Sequence, residues 1–415
     1  MTGTDLFELG RRVKAASREV ARSSSAARDE ALSAAAELLA AESGSLLAAN
    51  RADLERASAD GLAETAIDRL RLSEDRIDQM ARGLATVAAL ADPVGEVVDG
   101  WVRPNGLRVS RVRVPLGVVG VIYENRPNVT SDAAGLCLKA GNAAFLRGSA
   151  SALESNRAVV GILRRALAKA GLPEAAITLV EDTSHETAAE FMGLRGIIDC
   201  LIPRGGPALV ASLLEHARVP YVLDGDGNCH VYVDAAADLG VATEIVVNAK
   251  TQRPGVCNAA ESLLVHAAVA DEFLARLGPA LAGVELVGDE ATRAVLPDAE
   301  EATEADYRTE FLGPKLSIAV VEDLDGAIDH IARFGSGHSE AIVTTDLAAA
   351  ERFVGEVDAG AVVVNASTRF VDGGELGLGA EVGISTQKLH ARGPMGLREL
   401  TCVKWVVRGE GQVRS

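Results

Sequence analysis

One cysteine in this sequence stands where a nucleophile could act. Cys257 lies in "TQRPGVCNAA", just after a proline and a glycine that favour a turn and just before an apolar segment typical of a helix start. A helix dipole would stabilise a thiolate there, and Lys250 and Arg253 add positive charge nearby in the sequence. The pattern predicts a nucleophile, but a buried cysteine in a turn would look the same, and no histidine base is placed beside it.

The cysteines of the chain are five in number and widely separated. This spacing fits neither a disulfide framework nor a CxxC metal site, so we expect reduced thiols, most of which pack in the interior. They are Cys137, Cys200, Cys229, Cys257 and Cys402.

Two glycine-containing segments could bind ions. Gly205 and Gly206 precede a helical run in "PRGGPALV", where free amide N–H groups favour phosphate; a simple tight turn would give the same pattern, because no GxGxxG spacing is present. The acidic stretch "DGDGNCHVYVD" begins like a calcium loop, but Cys229 stands where such a loop needs glycine and Ala235 where it needs glutamate. The histidines also lack paired-ligand spacing, so no metal is expected.

Composition and charge narrow the class of protein. The chain has 415 residues, 48% of them hydrophobic and 24% charged, enough to bury a large core in two or three lobes. Acidic residues outnumber basic ones 59 to 41 and no dense basic run occurs, so nucleic acid is not an expected partner. The opening "MTGTDLFELG" is not that of a signal peptide, and no apolar run reaches membrane-spanning length. We therefore expect a cytoplasmic protein that does not enter a membrane.

Hydrophobic periodicity indicates an α/β protein. Residues 1–91 have helical spacing, with Ser24, Ser25 and Ser73 as candidate caps. Alternating apolar residues around "RPNG" predict a hairpin over 99–114. Strand-like and helical runs then alternate, and a second such series begins near "CHVYVD", which predicts two lobes with parallel sheets.

Several long motifs occur in order and span nearly the whole chain: "VPLGVVGVIYENRPNVTSDAAGLCLKAGNAAFLRGS", "NAKTQRPGVCNAAESLLVH", "TEFLGPKLSIAVVED", "FGSGHSEAIVTTD" and "GLRELTCVKWVV". Together they resemble the gamma-glutamyl phosphate reductase family of the aldehyde dehydrogenase superfamily. The resemblance implies an aldehyde dehydrogenase-like α/β fold, with a Rossmann-type NADPH-binding lobe over 1–228 and a catalytic lobe over 229–387. The 99–114 hairpin would be an oligomerisation flap to which residues 388–415 return, giving a dimer or tetramer.

The resemblance also implies a reaction. It is the NADPH-dependent reduction of L-glutamyl 5-phosphate to L-glutamate 5-semialdehyde and phosphate, the second step of proline biosynthesis, through a thioester on Cys257. The resemblance further implies a complex with glutamate 5-kinase, which makes this labile acyl phosphate; no residue in the sequence points to it.

Individual residues carry the family's roles by resemblance. Asn125 matches the oxyanion-hole asparagine, with Asn128 as the competing assignment and a helix cap as the alternative role for Asn125. Glu310 matches the glutamate that binds the nicotinamide ribose. Arg147, whose guanidinium could pair with a 2′-phosphate, and Ser149 occupy the strand end near the adenosine ribose, and the glycine pair described above would serve the coenzyme.

Another set of residues is shared with this family but not with aldehyde dehydrogenases in general. Their side chains suit the carboxylate, amine and phosphate of the substrate. Which arginine binds phosphate and which the α-carboxylate stays open, and turn or surface roles are the alternatives. The set comprises Arg126, Arg253, Ser336, His338 and Arg369.

One position departs from the hydrolytic members of the superfamily. Their general-base glutamate aligns with Leu223, or with Asp224 if the alignment shifts by one residue. Without that base, water is poorly activated, and the thioester should survive until hydride reduces it.

Overall fold

The computed structural model describes residues 5–223 and 225–414. The α-helices, in chain order, are α1 (Leu6–Val20), α2 (Ser25–Ala41), α3 (Ser43–Ala59), α4 (Glu64–Leu70), α5 (Glu74–Ala89), α6 (Pro127–Lys139), α7 (Leu153–Lys169), α8 (His185–Met192), α9 (Pro207–His216), α10 (Leu239–Thr251), α11 (Ala270–Ala280), α12 (Glu290–Val295), α13 (Glu304–Arg308), α14 (Leu324–Phe334) and α15 (Leu347–Glu356). Short 3₁₀ turns occur at Ala150–Ala152, Glu174–Ala176, Ala267–Val269 and Thr368–Phe370.

The strands are mostly short and belong to several sheets. In chain order they are β1 (Val97–Val102), β2 (Arg108–Pro115), β3 (Val118–Tyr123), β4 (Ala143–Arg147), β5 (Ile177–Leu179), β6 (Cys200–Arg204), β7 (Cys229–Val233), β8 (Ala260–His266), β9 (Glu285–Gly288), β10 (Glu300–Glu301), β11 (Lys315–Val321), β12 (Ser339–Val343), β13 (Ala361–Val364), β14 (Ile384–Ser385), β15 (Gly393–Pro394) and β16 (Thr401–Arg408).

The helical opening of the chain follows from its caps and apolar spacing. The hydroxyl of Ser24 accepts the N–H of Ala27 at 3.2 Å and that of Ser73 accepts the N–H of Arg76 at 3.2 Å, so these two predicted caps are confirmed. Ser25 is instead the first residue of α2. Within the described residues no single helix has the length and apolar character to cross a bilayer; only α2 and α3 taken together do, across a bend of 71°.

The chain divides into two compact units. Among the described residues, the first unit comprises 5–223, 378–383 and 395–414, and the second comprises 225–377 and 384–394. The predicted lobes divided the chain at 228 and 387. After residue 377 the chain passes between the two units three times. No low-complexity linker marks these boundaries in the sequence.

The first unit contains a parallel sheet of the order β5-β4-β3-β6. Every residue of β3 is buried, and the helix that follows it, α6, is buried along nearly all of its length. A strand buried on both faces reads as a continuous apolar run, as "VVGVIY" does. This sheet confirms the predicted parallel cofactor-type lobe.

A second, antiparallel sheet of the first unit has the order β1-β2-β16. The hairpin β1–β2 turns at "RPNG", as predicted, and β16 pairs with β2 along its whole length. Trp101 and Trp405 meet edge to face with ring centroids 5.6 Å apart, and they are 43% and 59% exposed. The sheet therefore presents aromatic surface to solvent.

The second unit is built on a parallel sheet of the order β10-β9-β11-β8-β7-β12-β13. Alternate residues of β7 point to opposite faces: Val231 and Val233 pack with α10 and α11, whereas Tyr232 packs with α14 and α15. Both faces of the sheet are thus covered by helices, as the alternation of strand and helix predicted.

Candidate active site

Cys257 lies in a turn segment between the end of α10 and the start of β8. The prediction that a helix follows it is wrong, because "AESLLVH" forms a buried strand. A short continuous apolar run fits a buried strand and a buried helix equally well, which is why the sequence misled here. The dipole of a following helix is therefore not available at this cysteine.

Lys250, expected to supply charge near the thiol, is fully buried and pairs with Glu261, its Nζ lying 2.5 Å from Oε2. Burial lowers the pKa of Lys250, and the Glu261 carboxylate partly opposes this. Burial likewise raises the pKa of Glu261 to about 7, against the effect of Lys250. The pair joins the last turn of α10 to β8, on either side of the Cys257 segment.

The main chain of Cys257 is tightly enclosed. Cys229 Sγ lies 3.1 Å from the carbonyl oxygen of Cys257, and burial raises the pKa of the Cys229 thiol, which keeps it neutral. The next residue, Asn258, donates from Nδ2 to the carbonyl of Val371 at 2.9 Å, and its own carbonyl accepts the hydroxyl of Thr368 at 2.7 Å. These bonds fix the 3₁₀ turn at residues 368–370 against the cysteine.

Arg369 of that turn reaches the segment before the cysteine. Its Nε donates to Gln252 Oε1 at 2.9 Å. Burial and then the charge of Arg253 lower the pKa of Arg369, whereas the charge of Asp372 opposes this. Arg253, Cys257 and Arg369, three of the predicted site residues, are therefore brought together. The two arginines bring positive charge to the segment that contains Cys257.

Glu310 is held next to the same segment. Its Oε1 accepts the N–H of Gly227 at 2.8 Å, and an ideal Cβ on Gly227 would lie 1.7 Å from the carbonyl oxygen of Cys257. Two residues further on, Leu312 has φ of 51°, an unusual conformation for a branched side chain. The glutamate and the cysteine thus contact the same glycine.

Ser336 and His338 flank this region from the segment before β12. The hydroxyl of Ser336 accepts the N–H of Asn228 at 3.1 Å. His338 is fully buried, with Nδ1 2.8 Å from Ser339 Oγ and 3.5 Å from Cys229 Sγ. Burial lowers the pKa of His338 to about 4, so the imidazole is neutral at neutral pH. Its Nε2 has no hydrogen-bond partner among the described residues.

Asn125 lies in the first unit, directly before α6. Its φ is 35°, and its Oδ1 accepts hydroxyl bonds from Ser149, at 3.0 Å, and from Ser151. Arg126 occupies the N-cap position of α6 without a side-chain cap bond, so the alternative that Asn125 caps this helix is wrong. With its oxygen engaged, the amide presents its NH₂ group as donor.

Asn128, the competing assignment, is exposed on the first turn of α6. Its Nδ2 donates to Asp132 Oδ2 at 3.0 Å. Burial raises the pKa of Asp132 to about 6. The amide donor of Asn128 is thus engaged by a neighbouring carboxylate.

Arg147 ends β4, as predicted, and is anchored there by backbone carbonyls. Its Nη2 donates to the carbonyls of Thr183 and Ser184 at 2.7 and 2.9 Å, while its buried Nε has no partner among the described residues. Burial lowers the pKa of Arg147, with Asp182 opposing. An unsatisfied guanidinium N–H at a strand end fits a phosphate or ribose oxygen.

The predicted glycine pair precedes α9. The N–H of Gly206 donates to Glu124 Oε2 at 3.0 Å, and an ideal Cβ on Gly205 would lie 2.8 Å from the same carboxylate. A carboxylate therefore occupies the anion position at this helix N-terminus.

The predicted residues fall into two groups. Asn125, Arg126, Arg147, Ser149, Gly205 and Gly206 lie in the first unit, and Arg253, Cys257, Glu310, Ser336, His338 and Arg369 lie in the second. Leu223 is half-buried in the first unit, and Asp224 lies outside the described residues. Within residues 5–223 and 225–414, no group of three or more His, Cys, Asp or Glu side chains is arranged to hold a metal ion.

Two residues that shape the candidate site were not predicted from the sequence. Gly227 belongs to the acidic stretch considered as a calcium loop, and its role appears only where the backbone of Cys257 approaches it. Glu261 did leave a signal, because it is a charged residue inside the apolar run that became β8.

Comparisons with known proteins agree with this architecture. The aldehyde dehydrogenase family model matches residues 8–297 and 294–406. The gamma-glutamyl phosphate reductase of Moorella thermoacetica is 54% identical over 408 residues, covering 98% of each chain. The crystal structure of the gamma-glutamyl phosphate reductase of Thermotoga maritima superposes with a TM-score of 0.97 at 48% identity, covering 99% of this chain and 100% of that one.

A more distant structure shows the shared fold alone. An acetylating aldehyde dehydrogenase from Geobacillus thermoglucosidasius superposes with a TM-score of 0.70 at 19% identity, covering 98% of this chain and 97% of that one. The matches of family model, sequence and fold extend over the same nearly complete length. The chain therefore belongs to the aldehyde dehydrogenase family and, within it, to the gamma-glutamyl phosphate reductases.

Proposed function

We propose that this protein reduces L-glutamyl 5-phosphate to L-glutamate 5-semialdehyde with NADPH, releasing phosphate, as the second step of proline biosynthesis. The observation that carries the proposal is the placement of Arg369 at the cysteine segment: the hydroxyl of Thr368 donates to the carbonyl of Asn258 at 2.7 Å, and Arg369 Nε donates to Gln252 Oε1 at 2.9 Å. Guanidinium groups beside a thiol stabilise the thiolate and bind oxyanions such as a phosphoryl group or a carboxylate. Membership of the reductase family identifies the acyl phosphate as the substrate to test first.

In the proposed reaction, the Cys257 thiolate attacks the acyl carbon of the substrate. The bond from that carbon to the phosphate oxygen breaks, inorganic phosphate leaves, and a thioester remains on Cys257. When bound, NADPH supplies a hydride to the thioester carbon. The resulting hemithioacetal collapses to the aldehyde and regenerates the thiolate.

Asn125 is the proposed side-chain donor of the oxyanion hole, with the backbone N–H of Cys257 as the second donor. Its support is the orientation of the amide, whose oxygen accepts hydroxyl bonds from Ser149 and Ser151. Held in this way, the NH₂ group needs no reorganisation as negative charge develops on the acyl oxygen.

Coenzyme binding is assigned to Glu310, Arg147, Ser149, Gly205 and Gly206. Carboxylate oxygens of Glu310 can accept ribose hydroxyls, and the unsatisfied Nε of Arg147 supports binding of the 2′-phosphate that distinguishes NADPH from NADH. The Gly206 N–H would contact a coenzyme phosphate only after releasing Glu124.

Substrate binding is assigned to Arg126, Arg253, Ser336, His338 and Arg369. Arg369 and Arg253 are supported by the bond from Arg369 Nε to Gln252, the residue before Arg253, and by the Thr368–Asn258 bond, which holds the turn of Arg369 against the residue after Cys257. Ser336 is supported by its bond to Asn228, beside Gly227. His338, buried behind Cys229, contributes its unsatisfied Nε2.

Leu223 takes the place of the hydrolytic general base in this proposal. A leucine cannot activate water, so the thioester is reserved for hydride. Hydrolysis by this protein should accordingly be slow.

The assembly is proposed to be a homo-oligomer formed through the β1-β2-β16 sheet. The exposed Trp101 and Trp405 on that sheet support it, since aromatic side chains are enriched in interfaces. Replacing both by alanine should reduce the mass measured by light scattering, whereas alanine at the exposed Leu347 should not; an unchanged mass would argue against the flap. A cytoplasmic location and a complex with glutamate 5-kinase stay predictions.

The reaction is best tested in reverse, because the acyl phosphate is unstable. Glutamate semialdehyde and NADP⁺ are supplied with and without phosphate, and NADPH formation is followed. Phosphate-dependent turnover that Cys257→Ala abolishes and Cys402→Ala retains would establish the proposal, since Cys402 is an exposed thiol on β16. Turnover independent of phosphate would mean that water resolves the thioester. No turnover with any enzyme preparation that binds NADPH would contradict the assigned substrate.

A further inference from the structure

The buried Lys250–Glu261 pair links the two segments that carry the proposed nucleophile and coenzyme ligand. Both side chains are fully buried, and their charged atoms lie 2.5 Å apart. Replacing a buried ion pair by apolar side chains of similar volume is often neutral or stabilising. The stability of the fold therefore does not explain why an ion pair occupies this position. The contacts that Lys250 and Glu261 make with neighbouring segments suggest another role.

The first contact is with the Cys257 segment. Lys250 belongs to the last turn of α10 and Glu261 is the second residue of β8, so their contact closes the chain on both sides of residues 252–259. Because the side chains meet inside the core, the ends of this segment are held at a fixed separation.

The second contact is with residues 309–314, the loop between α13 and β11 that carries Glu310, here called the Glu310 loop. Glu261 Oε1 accepts the N–H of Leu312 at 3.2 Å, at the residue with positive φ. The ring of Phe311 lies with its centroid 6.0 Å from Lys250 Nζ. The Glu261 carboxylate thus binds Lys250 through one oxygen and the N–H of Leu312, in the Glu310 loop, through the other.

We propose that the Lys250–Glu261 pair is a positioning device that holds the Glu310 loop in its coenzyme-binding conformation by fixing the N–H of Leu312. Leu312 lies two residues after Glu310, and its positive φ sets the direction in which the chain leaves that residue. Loss of the acceptor would let this residue relax and turn Glu310 away from Gly227, to which it is bonded at 2.8 Å. The inference rests on the proposed contact between Glu310 and NADPH.

Two double variants separate this role from a structural one. Lys250→Met with Glu261→Gln removes both charges but keeps an amide oxygen that can accept the Leu312 N–H. Lys250→Met with Glu261→Leu removes the charges and the acceptor together. Single variants are avoided, because each would leave a buried charge without its partner.

Three quantities are to be measured in the wild type and in both double variants: the melting temperature, the Kd for NADPH by fluorescence, and the rate of hydrogen exchange of residues 307–316. Similar melting temperatures are expected for the two variants. The double variant with Glu261→Leu should exchange faster in 307–316 and bind NADPH about tenfold more weakly, whereas the one with Glu261→Gln stays within about twofold of wild type. Equal NADPH affinity and equal exchange in both variants would overturn the proposal, as would equal loss in both.

Two further outcomes are decided by the same measurements. If neither variant folds, hydrogen exchange of the wild type decides: protection at Leu312 that increases with NADPH supports the device, and exchange at the unprotected rate refutes it. If the wild type binds no NADPH, the proposed function fails, whereas a difference in 307–316 exchange between the two variants still tests the pair.

Discussion

Gly227 and the carbonyl of Cys257 approach so closely that an ideal Cβ on the glycine would lie 1.7 Å from that oxygen. No other residue type can occupy position 227 without moving the cysteine or the glycine backbone. The contact also brings Glu310 to the cysteine, through its bond to the Gly227 N–H. This glycine therefore sets the spacing of the proposed nucleophile and coenzyme ligand in the second unit.

Gly227→Ala is expected to lower kcat by about 100-fold, because a displacement of about 1 Å in a reacting group costs that much. The protein should remain folded by circular dichroism. Gly255→Ala is the matched control in the same segment, since its Cβ would meet nothing closer than the Leu312 carbonyl at 3.7 Å. Wild-type kcat in Gly227→Ala would mean that the segment can adjust freely.

Asn125→Gly tests the oxyanion-hole assignment. Glycine tolerates the φ of 35° at this position, so the change removes the amide without adding backbone strain. We expect kcat to fall by about 10²–10³ with little change in melting temperature. Asn128→Ala should leave kcat close to wild type. The opposite ranking of the two variants would transfer the role to Asn128.

Arg369→Lys keeps the charge but loses the planar fork that also bonds Gln252 at 2.9 Å. In the reverse reaction we expect the KM for phosphate or for the aldehyde to rise at least about tenfold, with a smaller effect on kcat. Whichever KM changes would identify the group that Arg369 binds. Arg352→Lys, on the exposed surface of α15, serves as control. Unchanged KM values for both substrates would remove Arg369 from the site.

Acid should weaken the fold through His338. Its pKa is about 4 in the folded chain against an ordinary 6.5, so the unfolded chain takes up the proton first as pH falls. The stability contributed by the neutral imidazole is complete above about pH 6.5 and is lost as pH falls towards 4. At pH 5 the loss is about 2 kcal/mol.

Urea unfolding at pH 7 and pH 5 checks this value. His338→Gln should lose less stability than the wild type between these pH values, whereas His185→Gln, at the exposed start of α8, should behave as wild type. Since burial also lowers the pKa of His330, to about 3, only the difference between His338→Gln and wild type reports on His338. Equal pH dependence in the two would contradict the prediction.

The sequence predicted those parts of the fold that depend on local periodicity. The "RPNG" hairpin, the caps at Ser24 and Ser73 and the alternation of strand and helix are all present. It failed at β8, where the short, mainly apolar run "AESLLVH" is compatible with a helix as well as with a strand. The error mattered, because the helix dipole was a reason for activating Cys257.

The arrangement around the cysteine was less accessible. Arg253 and Arg369 were expected from family motifs, but their proximity results from the bond between Asn258 and Thr368, which joins residues 110 positions apart. The Lys250–Glu261 contact likewise forms only when α10 packs beside β8. Such contacts depend on which elements become neighbours, and a single sequence does not encode this locally.

The pairing of β16 with β2 has a consequence during synthesis. Pro115 pairs with Thr401, so β2 lacks its second neighbour until most of the chain has been translated, roughly 15 to 60 s at about 5–20 residues per second. Throughout that interval the hairpin exposes an unpaired edge beside Trp101, the kind of edge that aggregates. Nascent chains therefore depend on their last strand to seal this edge, and slow elongation or loss of β16 should favour aggregation on the ribosome.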